Sequence, residues 1–310
     1  MTNKLLTVRQ MLKRKKYLNL ALYAVLILIS YQFMYPLLRM ITISLMSQED
    51  IINPTVNWLP KTTSFGNLRT ALGVLDLKTT LVNSLLLSSL LALCQTLVSA
   101  MTGFAFARFQ FKFKNFWFIM VILTFILPTP ITLIPRTMMA VSVRETLGFQ
   151  MIGTPYPQLL MALTGQGIFS AILILIFYNF FRLIPRVLDE AAAIDGANPL
   201  QIFYHVILKL SLSTILVVFL LSFVWNWNET YITNTFIRGQ IPLLPPRLAS
   251  FDSIFEQLAS AGTAGQEQQR INEAYKMSAT LISILPLFIL YLIVQRQLIR
   301  GIENAGLTGE

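Results

Sequence analysis

Residues 225–231 read Trp-Asn-Trp-Asn-Glu-Thr-Tyr, and that mixture has a definite chemistry. Aromatic rings stack on the C–H faces of a polyol, while amides and carboxylates exchange hydrogen bonds with its hydroxyls. Trp225, Asn226, Trp227, Asn228, Glu229 and Tyr231 therefore form one candidate solute-binding set. A belt of aromatic anchors at a membrane interface accounts equally for the rings, though not for two amides and an acid. Asn83, Ser84, Thr129, Thr132, Tyr178 and Asn179 are further polar groups in apolar surroundings. Each fits either a solute pathway or hydrogen bonds between helices.

The second polar stretch is EAAAIDGANPLQIFYHVILKL, residues 190–210, which holds Glu190, Asp195, a glycine turn and the only histidine. His205 has no HExxH context and no cysteine partners, so no metal site is expected. Cys94 is alone in an apolar run, which excludes an internal disulfide and a CxxC centre. No GxxxxGK[ST] loop is present to cradle nucleotide phosphates. No Ser-His-Asp arrangement emerges either. The expectation is a chain with no catalytic residue, no metal and no cofactor of its own.

The elements that must position these groups are membrane spans. Of 310 residues, 55% are hydrophobic and 12% charged, against about 25% charged in soluble domains. The net charge of +10 flanks apolar runs rather than forming one patch, which argues against nucleic acid as a partner and for membrane lipid. The pattern predicts six spans, at 17–46, 80–106, 115–139, 158–181, 211–233 and 275–296. The first, long and preceded by the basic tail 1–16, reads as a retained span rather than a cleaved signal. The third carries Pro128, Pro130 and Pro135 and should be bent or broken. Arg39 and Arg136, inside spans, are expected to snorkel toward the outer surface.

Lysine and arginine set the orientation. They crowd before span one, in the loop after span two, after span four and after span six, so both termini should be cytoplasmic. The core 80–233 then carries the second to fifth spans and a cytoplasmic loop at 183–210. An extracytoplasmic loop at 234–274, containing the polar piece GTAGQEQQ, and a cytoplasmic tail at 297–310 complete the plan.

Within the 183–210 loop, Val187, Leu188, Ala191 and Ile194 share one helical face. Gly196 suits a left-handed helix end. Asn198, Pro199 and Gln201 then have the order of an N-cap, a first-turn proline and a capping-box partner. Ile202, Phe203, Val206, Ile207 and Leu210 make the next apolar face. Helix, sharp turn and helix follow, a hairpin that by itself need only connect two spans at the interface.

The spacing of this hairpin resembles the EAA loop of ATP-binding-cassette (ABC) importer permeases. Glu190, Ala191 and Ala192 are followed after three residues by Gly196, and after nine more by Val206 and Leu208, with Lys209 where proline is usual. Asn83-Ser84-Leu85, the run Gly103 to Arg108, Trp225 to Glu229, and Gly306-Leu307-Thr308-Gly309 are similar to the same family, in its carbohydrate-uptake, maltose-type branch. The resemblance implies an all-α membrane protein with six transmembrane helices and a cytoplasmic EAA coupling hairpin, the type I ABC importer permease fold. It implies half of a translocation pathway for a carbohydrate, first of all an oligosaccharide, in a bacterial inner membrane.

The implied partners are a second, homologous permease subunit, an ATPase dimer binding ATP and magnesium, and an extracytoplasmic solute-binding protein. Glu190, Ala191, Ala192, Asp195 and Gly196 would engage the ATPase, and Gly306 to Gly309 would reach it through the tail. An ion-coupled secondary transporter of a small polar solute is the competing expectation. It fits less well because only Glu229 offers an acid near a span. A membrane enzyme or scaffold with an interfacial hairpin is the third.

Overall fold

The structure, a computed structural model, describes residues 2–258 and 266–306, with side chains described for 19–257 and 271–296. It is helical throughout, apart from one isolated bridge between Met46 and Thr63. The chain divides into two compact units: the chain up to Val74 with Asp252–Ile282, and Leu75–Phe251 with the chain from Ser283.

The first unit begins with α1 (Thr2–Ser44), whose apolar part runs Asn19–Ser44 and tolerates Pro36 in its interior. The short α2 (Gln48–Ile52) is capped by the Ser47 hydroxyl, which accepts from the Asp50 N–H. The Asp50 carboxylate, 6% exposed, accepts from the N–H groups of Lys61 and Thr62 at 2.9 and 3.0 Å. A buried acid thus closes the loop that leads to α3 (Gly66–Leu75). In α3, Asn67 Nδ2 donates to the carbonyls of Ile43 and Met46, satisfying the end of α1.

The Thr62 N–H above all holds the Asp50 carboxyl below its ordinary value, against the opposing pull of burial. A depressed folded-state value means the loop's support is present at neutral pH and is lost only as pH falls through and below the usual carboxylate range. Asp50→Asn should therefore accelerate amide hydrogen exchange in residues 59–66 at neutral pH and remove the further acceleration that wild type shows in acid.

The second unit is built on α4 (Leu77–Arg108), which runs through its centre. Ser84, Ser88, Ala92, Ser99, Ala100 and Gly103 are small and buried on α4, letting neighbouring backbones approach. Two helices follow, α5 (Lys114–Ile126) and α6 (Thr129–Leu147), bent by 101° at Leu127–Pro128. Pro128 is the N-cap of α6, where a missing N–H costs little, while Pro135 is carried inside it. Next come α7 (Tyr156–Leu163) and α8 (Ser170–Leu183). The expected continuous span at 158–181 is interrupted between them, because Gly165 and Phe169 take left-handed φ values of 71° and 51°.

The hairpin consists of α9 (Val187–Ile194), α10 (Pro199–Ile202), a π-helical turn (Phe203–Ile207) and α11 (Leu208–Leu210). After an 84° bend comes α12 (Leu212–Asn228). It ends earlier than the expected 233, since the Glu229 carboxylate turns back to accept from the Ile232 N–H and starts α13 (Tyr231–Ile237). The short α14 (Leu244–Ala249) follows.

Then α15 (Phe251–Leu258) returns the chain to the first unit, and α16 (Gln266–Gly306) ends the described residues. In the first unit Lys276 pairs with Asp252, and Gln48 Nε2 donates to the Tyr275 hydroxyl at 2.8 Å. The loop expected at 234–274 thus holds two whole helices and the start of α16, and the tail expected from 297 continues α16 to Gly306. Of the polar piece GTAGQEQQ, residues 266–269 lie in α16 and the rest falls outside the described residues.

By length and composition three helices can cross a bilayer, namely Asn19–Ser44, Leu77–Arg108 and Ile271–Arg296. The number rises to six if each of three bent pairs, α5 with α6, α8 with α9 and α10–α11 with α12, counts as one span.

Candidate functional site

The hairpin is assembled from local signals and then braced by distant ones. Gly196, at φ 84°, makes the turn that L side chains rarely accept. Asn198 and Gln201 form the reciprocal capping box, with bonds of 2.9 and 2.8 Å that start α10. On the inner side Ile202, Phe203 and Ile207 join Phe104, Phe177 and Phe181 in one buried cluster, with Ala192 and Ala197 packed against it. Arg108, at the end of α4, donates to the Ile184 carbonyl at 2.9 Å and lies 3.0 Å from Asp189 as an ion pair. These contacts fix the hairpin's root to the central helix.

The outer side is different. Glu190, Ala191, Asp195 and Gly196 are exposed, and Ala192 is half-buried. Val187, Ile194 and Leu200 around them are 69, 86 and 61% exposed. An acid amid exposed apolar side chains on a rigidly held helix has the make-up of a docking knob. Of the proposed tail residues, Gly306 is the last of α16, while Leu307, Thr308 and Gly309 lie outside the described residues.

The polar groups singled out for a solute pathway separate into three sets. Asn83 donates to the Pro242 carbonyl at 3.0 Å, and Ser84 accepts from the Leu244 N–H at 2.7 Å, tying α4 to the start of α14. Asn226 donates to Gln95 Oε1 at 2.7 Å, and Trp227 is buried against Phe223. Tyr178 packs on Phe118 and lies under the Arg182 guanidinium. These five take part in helix packing. Asn179, Asn228 and Tyr231 are exposed, and Trp225 stacks edge-on against Phe169 at 4.9 Å.

Thr129, Thr132 and Glu229 form the third set. They share a cavity of about 590 Å³ with Arg136, Gln166 and Ser170, between α6 and the break before α8. Arg136 is half-buried, and its guanidinium donates to Met161 Sδ at 3.1 Å and Gln166 Oε1 at 3.2 Å. Gln166 and Ser170 were not singled out in the sequence, since neither carries a signal of its own. Gln95, 1% exposed in the middle of α4, was likewise missed despite being a large amide in an apolar run. It donates to the Ile168 carbonyl and Ser170 hydroxyl and accepts from Ser222 and Asn226, which fixes the cavity floor.

A family model described as "binding-protein-dependent transport system inner membrane component" matches residues 95–304, well over half of the chain. The chain belongs to this family. The permease is 25% identical over 306 residues to the sn-glycerol-3-phosphate transport system permease protein UgpE of Pectobacterium atrosepticum, covering 95% of this chain and 99% of that protein. It is 28% identical over 300 residues to the protein of the same description from Brucella abortus strain 2308, covering 94 and 98%. A solved structure, the crystal structure of a bacterial ABC transporter involved in the import of the acidic polysaccharide alginate, superposes with a TM-score of 0.70 at 19% identity, over 91% of this chain and 96% of that one. The fold is therefore the type I ABC importer permease fold. The permease is an inner-membrane component of a binding-protein-dependent transport system, and its relatives are transport permeases. Residues 95–304 take in Gln95, the hairpin and the cavity.

Proposed function

We propose that the permease is one of two homologous permease subunits of an ATP-driven importer for a polyhydroxylated, carbohydrate-class solute. The named cargoes of its relatives, sn-glycerol 3-phosphate and alginate, are both polyhydroxylated or built from such units, which supports the class. The permease forms half of the pathway. A separate ATPase dimer binds ATP and magnesium, and an extracytoplasmic solute-binding protein delivers the cargo. Both termini and the hairpin face the cytoplasm, as the lysine and arginine bias favours.

The observation that carries this reading is the two-sided hairpin. Its inner side is welded to the central helix through Phe203, Ile207 and the Arg108–Asp189 pair, and its outer side offers exposed Glu190 among apolar side chains. A knob of that kind transmits motion: displacement of Glu190 by a closing ATPase moves α9 and α10 as a lever, and the lever moves α4 and α8. The tail residues Gly306 to Gly309 are assigned to contact with the ATPase on the resemblance of Gly306-Leu307-Thr308-Gly309 to the tails of this family.

Glu190→Lys should insert normally and keep its thermal stability, because the side chain is exposed. In the reconstituted complex it should lower solute-stimulated ATP hydrolysis by about tenfold or more, the range of a lost coupling free energy. Wild-type coupling in that variant would remove Glu190 from the lever.

A further inference from the structure

Resting on the reading of the chain as a solute permease, we infer that the cavity between α6 and the α7–α8 break binds an anionic group of the solute, a carboxylate or phosphate carried on a hydroxylated body, with Arg136 as its ligand. One physical rule and three observations carry this. A guanidinium within a membrane-embedded helix pair is costly unless a partner meets its charge. Arg136 forms no ion pair among the described residues, and its two acceptors are a thioether, which accepts weakly, and a neutral amide. Its surroundings are a cavity of about 590 Å³ rather than packed side chains, room enough for a small solute or one unit of a longer one. The rest of the wall supplies hydroxyls from Thr129, Thr132 and Ser170 and an amide from Gln166.

Glu229 gives the site a direction. Its Oε1 is held by the Ile232 N–H at 2.7 Å, so the carboxylate is anchored and repels an anion placed beside it. It accepts hydroxyl donors instead. The solute's acidic end is thereby drawn to Arg136 and its hydroxylated end to Glu229. An arriving carboxylate or phosphate replaces Met161 and Gln166 as the acceptor of the guanidinium, exchanging two weak neutral bonds for a charge-assisted, bidentate pair. Neutral sugars gain nothing from that exchange.

The test uses the full chain with its co-purifying partners, without the solute-binding protein, in phosphatidylcholine nanodiscs. Tryptophan emission is titrated with glucuronate against glucose and with glycerol 3-phosphate against glycerol. Trp225, stacked on Phe169 of the cavity wall, is the reporter, and Trp225→Phe identifies its share of the signal. At least one acid should bind about tenfold or more tightly than its neutral counterpart, as expected for a hydrogen bond to a charged group. Arg136→Gln should bring that ratio close to one, and Arg136→Lys should keep part of it.

An acid preference that survives Arg136→Gln overturns the assignment, as does an absence of binding by either acid to wild type. Repeating the titration in phosphatidylglycerol nanodiscs separates solute from lipid. If the anionic lipid abolishes the advantage of the acids, the occupant is a headgroup and the solute assignment falls. Should Glu190→Lys uncouple ATP hydrolysis while the acid preference ignores Arg136, the permease reading stands and this one fails alone.

Discussion

Gly103→Leu is expected to leave little protein that survives detergent extraction as a single species, and Gly103→Ala to lower its aggregation temperature measurably. The reason lies where α4 meets α8. A Cβ at position 103 would stand 2.7 Å from the Phe177 Cβ, 3.0 Å from the Tyr178 nitrogen and 3.1 Å from the Ile174 carbonyl oxygen. Two of those three atoms are backbone, so no rotamer change relieves the contact and the helices must separate. Separation also opens the cluster of Phe104, Phe177, Phe181 and Phe203, because Phe104 is the next residue along. Overpacking of a filled core costs about 1–3 kcal/mol for a small addition, and a leucine adds several times the volume of that methyl. The measurement is the aggregation temperature of the solubilised protein followed by size-exclusion chromatography. An alanine variant as stable as wild type would mean that α4 and α8 are further apart than described.

The same contact bears on coupling. Arg108, five residues further along α4, holds Asp189 and the Ile184 carbonyl at the root of the hairpin. Asp189 directly precedes Glu190, so α4 is tied to the helix that carries Glu190. On the proposed lever, a mild Gly103→Ala protein that reaches the membrane should also show weaker solute-stimulated ATP hydrolysis although Glu190 is unchanged.

What could be read from the sequence was what is encoded locally. The glycine turn at 196, the capping box of Asn198 and Gln201 and the break at Pro128 each need only a few neighbouring residues, and each is present. The break before α8 was not readable, because it depends on Phe169, a residue with no preference for φ 51°, held in a loop whose Ile168 carbonyl is satisfied by Gln95 from far away in the chain. Composition identified Asn83, Ser84 and Asn226 as polar groups in oily surroundings but could not say whether they face a solute or another helix. In the structure Asn83 bonds the Pro242 carbonyl, Ser84 the Leu244 N–H and Asn226 the Gln95 amide. Arg136 was visible as a charge inside a span, and its cavity was not, since the walls come from separate helices. Nor does any residue pattern announce the π-helical turn at Phe203–Ile207.

Gln95→Ala and Gly167→Ala are expected to be far less harmful together than the sum of the two alone. Gln95 ties α4 to the loop before α8, to α8 and to α12. Its Nε2 donates to the Ile168 carbonyl at 3.2 Å and to the Ser170 hydroxyl at 3.3 Å, while its Oε1 accepts from Ser222 and, at 2.7 Å, from Asn226. Truncation to alanine removes the acceptor of the buried Ser222 hydroxyl, which keeps only the Asn226 amide at 3.2 Å, and the side-chain donor to the part-buried Ile168 carbonyl, at about 1–3 kcal/mol for a buried donor left without its acceptor. Gly167 stands directly against this amide, and a Cβ there would fall on the Gln95 side-chain nitrogen. Gly167→Ala alone must therefore expel the amide from its site, losing the same four bonds and adding strain. Once Gln95 is alanine, the space beside residue 167 is empty, and the new methyl enters it without displacing anything. The coupling in a double-mutant cycle should be favourable and of about 0.5–3 kcal/mol, the range seen for residues that share a cavity or a network. Aggregation temperatures of the four proteins measure it. Additive losses would show that Gln95 and Gly167 are not in contact, and the cavity floor built on that contact would have to be redrawn.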